Sequence, residues 1–348
     1  MPGRRLPGER RPRRAGPHRR PLALLSGRAA IRTVGIDLGG TKCLAVALED
    51  GRLVEEHRIA TPEGEAAVLD AVAAAAASVQ GRGDVVGVGV GVPGLVDREG
   101  VLRFAPNLPG VADLPVKAEL EARLDLPVRV DNDATCAAWG ERQAGAAQGY
   151  DDVILVTLGT GIGGGIVAGG TLLRGAHGFA GEVGHMVIDP EGPDCPCGQR
   201  GCWERFASGS GLGRLGQEAA AAGQAAAVLA LAGGDPAGVQ GEHVTAAAAA
   251  GDAQARTVLA AFGWWVALGL ANLANAFDPQ AFVLGGGLVE AGELLLGPVR
   301  TAFASLLTGS QHRPAVDIVP ARLGEHAGAI GAAHLFDDLR EIGPPRAL

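Results

Sequence analysis

Between His185 and Glu204 the chain reads His185-Met-Val-Ile-Asp-Pro-Glu-Gly-Pro-Asp-Cys195-Pro-Cys197-Gly-Gln-Arg-Gly-Cys202-Trp-Glu204, which sets one imidazole and three thiols within eighteen positions. Zinc takes tetrahedral nitrogen and thiolate ligands, and four protein ligands leave no open position for a reacting water. His185, Cys195, Cys197 and Cys202 therefore predict a structural zinc site rather than a catalytic one. Pro196 stiffens the segment, while Gly198 and Gly201 allow the tight turns that four ligands on one short loop demand. Three of the five cysteines fall within eight residues, which weighs against unrelated buried thiols. Acids flank the cluster. Glu182 lies three residues before His185, a spacing that puts two side chains on one face of a short helix, and Glu204 lies two beyond the last thiol. Closed around zinc, the loop gathers Glu182, His185 and Glu204 on one wall, with the second imidazole nitrogen left for a hydrogen bond. Two carboxylates and an imidazole N–H suit a ligand with several hydroxyls, such as a sugar.

Two other stretches share a pattern of apolar strand, Gly/Thr turn and apolar strand. The first is Thr33-Val-Gly-Ile-Asp37-Leu-Gly39-Gly40-Thr41-Lys42-Cys-Leu-Ala-Val-Ala47. Glycines let the backbone approach a phosphate closely, and Thr41 and Lys42 add a hydroxyl and a charge; a plain hairpin turn is the competing reading. The pattern returns about 120 residues on, in Val153-Ile-Leu-Val-Thr157-Leu-Gly159-Thr160-Gly161-Ile-Gly163-Gly164-Gly165-Ile-Val167. That repetition suggests an internal duplication with one phosphate-touching turn in each half. The second run partly mimics a dinucleotide fingerprint but lacks the helix that should follow at once.

Between the repeats, Leu126-Pro-Val-Arg-Val-Asp131 reads as a short parallel strand ending in Asn132-Asp133, with a helix from Ala134 to about Arg142. Asp133 is a natural N-cap. Yet ligands bind at the carboxyl ends of strands in open α/β sheets, where a carboxylate could accept a proton from a substrate hydroxyl. Asn107, in the loop Phe104–Gly110, is a ready donor and acceptor or simply a turn former. The strand Val85–Gly94 alternates Val with Gly, leaving a face of small residues for a helix or a ligand to approach.

The elements that must position these groups follow from the remaining pattern. With 348 residues, 56 glycines and 4% aromatics, the chain reads as a tightly turned α/β protein of two lobes. Helices are expected at about 63–80, from about Ser210, and from about Thr245 to Asn275, the last stopped by Asp278-Pro279. Strand Ala281–Leu284 runs into Gly285-Gly286-Gly287, and a helix start after glycines suits a nucleotide's phosphates or sugar. A strand at about 315–319 and a helix at about 326–340 close the chain. The net charge of −8 hides nine arginines and one acid in residues 1–30, so the body is strongly acidic and argues against nucleic-acid partners. Residues 1–30 read as a disordered basic tail, with an apolar run too short for a signal peptide. Clustered thiols fit a reducing cytosol. Phe262–Phe277 is too short and too polar, with Asn272 and Asn275, to span a bilayer.

Taken together, Asp37–Lys42, Asn132-Asp133, Thr157–Gly165, Glu182-Val-Gly-His185 and the Cys195–Glu204 signature resemble the ROK family (repressor, open reading frame, kinase) over roughly residues 33–340, most closely its zinc-containing bacterial glucokinases. The resemblance implies an α/β fold of two actin-like (ribonuclease H-like) lobes with an interlobe cleft. The small lobe would span 31–133, completed by the helix at about 326–340, and the large lobe 134–325 with zinc loop 185–204. It implies ATP-dependent phosphorylation of D-glucose at the 6-hydroxyl, giving glucose 6-phosphate and ADP, by a cytoplasmic homodimer or homotetramer. Asp133 would be the base; Asn107, Asn132, Glu182, His185 and Glu204 the hexose contacts. Gly39, Gly40, Thr41, Lys42, Thr160 and Gly161 would line the triphosphate, Asp37 would position Mg²⁺ through water, and Gly285 and Gly286 would abut the adenosine. One departure is Val111, where family glucokinases often carry an aromatic residue; its loss would soften the sugar loop or relax selectivity. The alternatives are mannose, fructose, N-acetylglucosamine or N-acetylmannosamine as substrate, polyphosphate as donor, and a sugar-responsive ROK repressor. The repressor needs a winged helix-turn-helix, for which about 30 residues before the first strand are too few.

Overall fold

The computed structural model describes residues 31–81, 84–105, 108 and 110–337. The expectations for residues 1–30, for Asn107 and for the last helix beyond residue 337 lie outside them. In chain order the first half runs β1 (Arg32–Leu38), β2 (Lys42–Glu49), β3 (Arg52–Ala60), α1 (Glu65–Val79), β4 (Val85–Val92), β5 (Leu95–Val96), β6 (Leu102–Phe104), β7 (Ala112–Leu114), α2 (Val116–Leu124) and β8 (Val128–Asn132). After α3 (Asp133–Ala144) come β9 (Val153–Leu158), β10 (Ile162–Ala168), β11 (Thr171–Leu172), α4 (Glu204–Ala207), α5 (Gly209–Ala221), α6 (Ala226–Leu231), α7 (Gly241–Ala249) and α8 (Ala253–Phe277). The chain ends through β12 (Ala281–Gly285), α9 (Glu293–Leu306), β13 (Asp317–Pro320) and α10 (Ala327–Ala333).

The two large sheets have the same topology. One is ordered β3-β2-β1-β4-β8 and the other β11-β10-β9-β12-β13. In each, three antiparallel strands are followed by two parallel ones. The duplication expected from the repeated turn is thus present in the fold. Parallel pairing needs crossover connections, and these carry the helices that cover both sheets.

Small residues decide how the halves join. Gly35 of β1 and Gly89 of β4 face the carbonyls of Ala329 and Ala332, where any Cβ would overlap the α10 backbone. The Val-Gly alternation therefore serves a helix rather than a ligand, and α10 completes the first sheet. On its other side α10 meets α3, with Gly331 against Cys136 and Gly140 against Ala327. The face of α3 carrying Ala134 and Ala138 packs on Gly163 and Gly165 of β10. So α3 and α10 lie between the two sheets, and the head of α3 is held from both sides.

Three elements differ from the sequence reading. The long helix at about 245–275 is two helices, because Gly251 takes φ +97° and Asp252 caps α8 by accepting from the Ala255 N–H at 2.7 Å. The cap of α3 is Asn132, whose Oδ1 accepts from the Thr135 N–H at 3.0 Å, so Asp133 is the first helical residue. Strand β3 is exposed along nearly its whole length and shows no alternation to read. Helix α8 is long and apolar enough to cross a membrane, yet 61% of its most apolar window is buried inside the large lobe.

Candidate active site

The zinc loop is built locally. Bridges Val187↔Cys202 and Asp194↔Arg200 close it, and Gly198 (φ +91°) and Gly201 (φ +68°) take the left-handed turns. The Cys195 N–H donates to the Gln199 carbonyl at 2.8 Å, and the Gly198 N–H to the Cys195 carbonyl at 3.0 Å. Cys195 Sγ lies 3.8 Å from His185 Nδ1, Cys197 Sγ lies 3.6 Å from Cys202 Sγ, and all four donor atoms fall within 4.8 Å of one another. Zinc bonds of about 2.0–2.3 Å in a tetrahedron require ligand separations of roughly 3.5–3.8 Å. The Cys₃His cluster fits zinc. Trp203 anchors the loop to the large lobe: it is fully buried, its ring rests where Gly269 of α8 lacks a side chain, and its Nε1 donates to the Trp265 carbonyl at 2.9 Å.

That anchoring fixes an acid–imidazole–acid surface. His185 Nδ1 is 3.8 Å from Glu204 Oε1, and Nε2 is 3.9 Å from Glu182 Oε2. Nδ1 is the nitrogen turned to the thiols, so Nε2 is the one left for a ligand, and its gap to Glu182 exceeds hydrogen-bond length but is short enough for a hydroxyl to bridge. Burial pushes the Glu182 carboxyl above its usual range, with His185 opposing and Glu204 adding to the shift.

Across the cleft, the carboxyl end of β8 delivers Asn132 and Asp133. Asn132 Nδ2 donates to the Gly94 carbonyl at 3.1 Å, tying the strand end to the turn after β4. Asp133 Oδ1 accepts from the Ala134 N–H at 2.8 Å. Burial pushes Asp133 up to about 6; the Ala134 N–H opposes the rise and the charge of Glu182 adds to it. Asp37, at the end of β1, is pushed up to about 7 by burial and then by the charge of Asp133.

A cleft of about 730 Å³ runs between the sheets and joins these groups. Asp37, Asn132 and Asp133 line it from one side; Glu182, His185 and Glu204 line it from the other. Thr160 and Gly161 of the second turn, with Gly285 and Gly286 at the end of β12, also line it. A Cβ at Gly161 would lie 2.8 Å from Glu204 Oε2, so this turn and the Glu182–His185–Glu204 wall are in contact. Gly39, Gly40, Thr41 and Lys42 do not line the cleft. Their turn is largely exposed and is held from behind by Thr61, whose N–H donates to the Thr41 carbonyl at 3.0 Å and whose Oγ1 donates to that of Gly39 at 2.7 Å. Val111 is buried in the core of the first sheet and is not among the described residues that line the cleft.

Phe104, Thr157, Glu325 and Gly328 also line the cleft and were not anticipated. Thr157 was legible, since it holds the place in the second repeat that Asp37 holds in the first. Glu325 precedes α10 in a short turn and reaches the cleft through the fold alone; it pairs with Arg58 of β3 at 2.8 Å.

Duplicated sheets around a cleft of this kind define the mixed α/β sugar-kinase fold. The family model described as the ROK family matches residues 33–339. A glucokinase of Streptomyces coelicolor is 43% identical over 307 residues, covering 87% of this chain and 96% of the relative. Among solved structures, a ROK family glucokinase from Streptomyces griseus in complex with glucose and AMPPNP is 44% identical with TM-score 0.76, covering 87% of this chain and 98% of that one. A ROK hexokinase from Thermus thermophilus is 38% identical with TM-score 0.76, covering 90% of this chain and all of its own. The chain belongs to the ROK family.

Proposed function

We propose that the protein is a glucokinase, transferring the γ-phosphoryl group of ATP to the 6-hydroxyl of D-glucose to give glucose 6-phosphate and ADP. The observation that carries this reading is the carboxylate of Asp133 facing, across one cleft, both the Thr160–Gly161 turn and the Glu182–His185–Glu204 wall. Phosphoryl transfer is mostly positioning and charge neutralisation, so a placed base and a backbone cradle are a sufficient protein contribution. Asp133 takes the proton of the 6-hydroxyl as its oxygen attacks phosphorus. Its pKa of about 6 leaves it mostly ionised at pH 7 while keeping it basic enough to accept that proton.

Asn132, Glu182, His185 and Glu204 hold the hexose hydroxyls, and Asn107 is assigned to the same ring. Backbone N–H groups at Thr160 and Gly161 face the phosphates, and Gly285 and Gly286 leave room for the adenosine. Asp37 is the carboxylate for Mg²⁺, which when bound neutralises charge on the β- and γ-phosphates. Gly39, Gly40, Thr41 and Lys42 are assigned to the triphosphate as the two lobes draw together. The zinc ligands brace the wall and take no part in the chemistry. The same reading divides the chain into a small lobe, 31–133 with α10, and a large lobe, 134–325, and has it act in the cytoplasm as a homodimer or homotetramer.

A coupled assay pairing ATP and polyphosphate with glucose, mannose, fructose, N-acetylglucosamine and N-acetylmannosamine tests it. Glucose with ATP is expected to give the highest kcat/KM, and preference for an N-acetylhexosamine would sink the substrate assignment. Asp133→Asn should cut kcat about 10³-fold while glucose still binds; near-normal turnover would remove the base.

A further inference from the structure

Outside the lining of the cleft lies an ion pair that joins two segments of the site. Asp131, one residue before Asn132, is buried, and its Oδ2 accepts from Arg174 Nε at 2.6 Å. Its Oδ1 accepts from the Asn132 N–H at 3.0 Å. Arg174 comes from the other lobe, where it follows β11 and opens the segment that leads into Glu182. Burial raises the pKa of Asp131, opposed chiefly by the charge of Arg174. Asp131 is buried but the Arg174 side chain is 37% exposed, and an ion pair open to solvent on one side adds little net stability, so its presence points to geometry.

The rest of that segment is fitted to the same partner surface. Arg98 Nε donates to the Gly175 carbonyl at 2.9 Å. Gly178, at φ +100°, lies so close to the β5–β6 hairpin that a Cβ would sit 2.5 Å from the Val96 carbonyl oxygen. The Ala180 N–H returns to the Arg174 carbonyl at 3.2 Å and closes the segment into a loop. At Gly181, φ +112°, the chain turns against Gly164 of β10 and delivers Glu182. One end of the loop is therefore bonded two residues before Asp133. Its other end is Glu182, whose charge is felt at Asp133.

We propose that Arg174 is a positioning residue: its bond to Asp131 sets the register between the strand end carrying Asn132 and Asp133 and the wall that begins at Glu182. This rests on the reading of Asp133 as base and Glu182 as a hexose contact. Neither Arg174 nor Asp131 lines the cleft, so the effect passes through the two segments they join. A slip of about 1 Å between base and bound hydroxyl costs roughly 10²-fold in rate.

The test is steady-state kinetics on the full chain. Arg174→Ala should lower kcat about 10²-fold, raise the glucose KM about tenfold, and leave the ATP KM within about twofold, because the phosphate turn lies elsewhere. Arg174→Lys keeps a cation that can reach Oδ2 and should recover most of kcat. Asp131→Asn with Arg174→Ala removes the buried charge together with its partner, and should stay as slow as Arg174→Ala. Recovery of wild-type kcat in that double variant, or unchanged kcat and glucose KM in Arg174→Ala, overturns the proposal, since the pair would then only neutralise a buried charge. Should Arg174→Ala fail to fold, as judged by zinc content and melting, Arg174→Lys and the double variant carry the same comparison. The two readings fail separately: an active Asp133→Asn enzyme removes the base, whereas an inactive Asp133→Asn beside a kinetically normal Arg174→Ala removes the register role alone.

Discussion

The two glycine turns began as near copies and ended in different surroundings. Ile36-Asp37-Leu38-Gly39-Gly40-Thr41 and Val156-Thr157-Leu158-Gly159-Thr160-Gly161 occupy matching places in sheets of the same strand order. The second turn faces the cleft, with the Gly159 N–H donating to the Gly161 carbonyl at 3.1 Å and the Gly209 N–H, at the head of α5, donating to the Gly159 carbonyl at 2.8 Å. The first stands in solvent, braced by Thr61. One turn is built into the cleft wall; the other stands outside the cleft lining. Local sequence alone specifies a strand–turn–strand unit, and what packs on it decides whether it binds anything.

Substitutions in the two turns should differ most. Gly161→Val sets side-chain carbons against Glu204 and over the phosphate cradle, and a loss of about 10³-fold in kcat/KM for ATP is expected. Gly40→Ala puts a methyl on an exposed turn and should cost no more than about tenfold. Equal losses in a side-by-side assay would mean that both turns already hold phosphate in the resting structure.

Zinc separates the second turn's neighbourhood from the first. Stripping it with a chelator should raise the glucose KM roughly 10–100-fold, the usual cost of disturbing groups that orient a site, and leave the ATP KM nearly unchanged. Cys197→Ser is expected to reproduce this, because Glu204 and His185 lose their common support. A chelated enzyme with normal glucose affinity would separate the loop from the wall.

Much of this was legible because it is local. The zinc donors lie within eighteen residues, and their glycines and proline announce the turns. Asn132-Asp133 could be placed at a strand end, but which residue caps the helix depends on backbone angles that two adjacent capping residues leave open. What stayed hidden has long separations. Glu141 of α3 is fully buried, and its Oε1 accepts from the N–H groups of Arg322 at 2.9 Å and Leu323 at 2.8 Å. Arg174 finds Asp131 across 43 positions. Neither pairing leaves a periodic trace. The break between α7 and α8 was missed because alanine-rich flanks favour helix on both sides, although Gly251-Asp252 is a stop followed by a cap.

The pH profile offers a smaller and cleaner test of the acids that only one turn neighbours. With Asp133 as the proposed base and Mg²⁺ saturating, so that Asp37 stays ionised, kcat/KM should fall about tenfold per pH unit below about pH 6 and be flat above it. A limb near pH 4, the range of an ordinary carboxyl, would mean that burial does not govern the base.

The smallest effect sets Asp37 against Thr157, the pair at which the repeats diverge, and their variants should move stability in opposite directions. Asp37 has a folded pKa of about 7, against about 3.9 in the unfolded chain. Between those values the folded state binds more protons, so this group's contribution to stability falls as pH rises from about 4 to 7 and stays low above. Asp37→Asn removes that penalty. It should raise Tm by about 2–4 °C at pH 8, with the gain fading towards pH 4, while turnover is lost. Thr157 carries no charge, and its Oγ1 accepts from the Gly163 N–H at 3.0 Å, so Thr157→Val should lower Tm by about 2–4 °C at every pH. The sign at Asp37 is what counts: a charge that destabilises the empty protein supports the cation role proposed for it, and an Asp37→Asn protein that melts lower at pH 8 would take that support away.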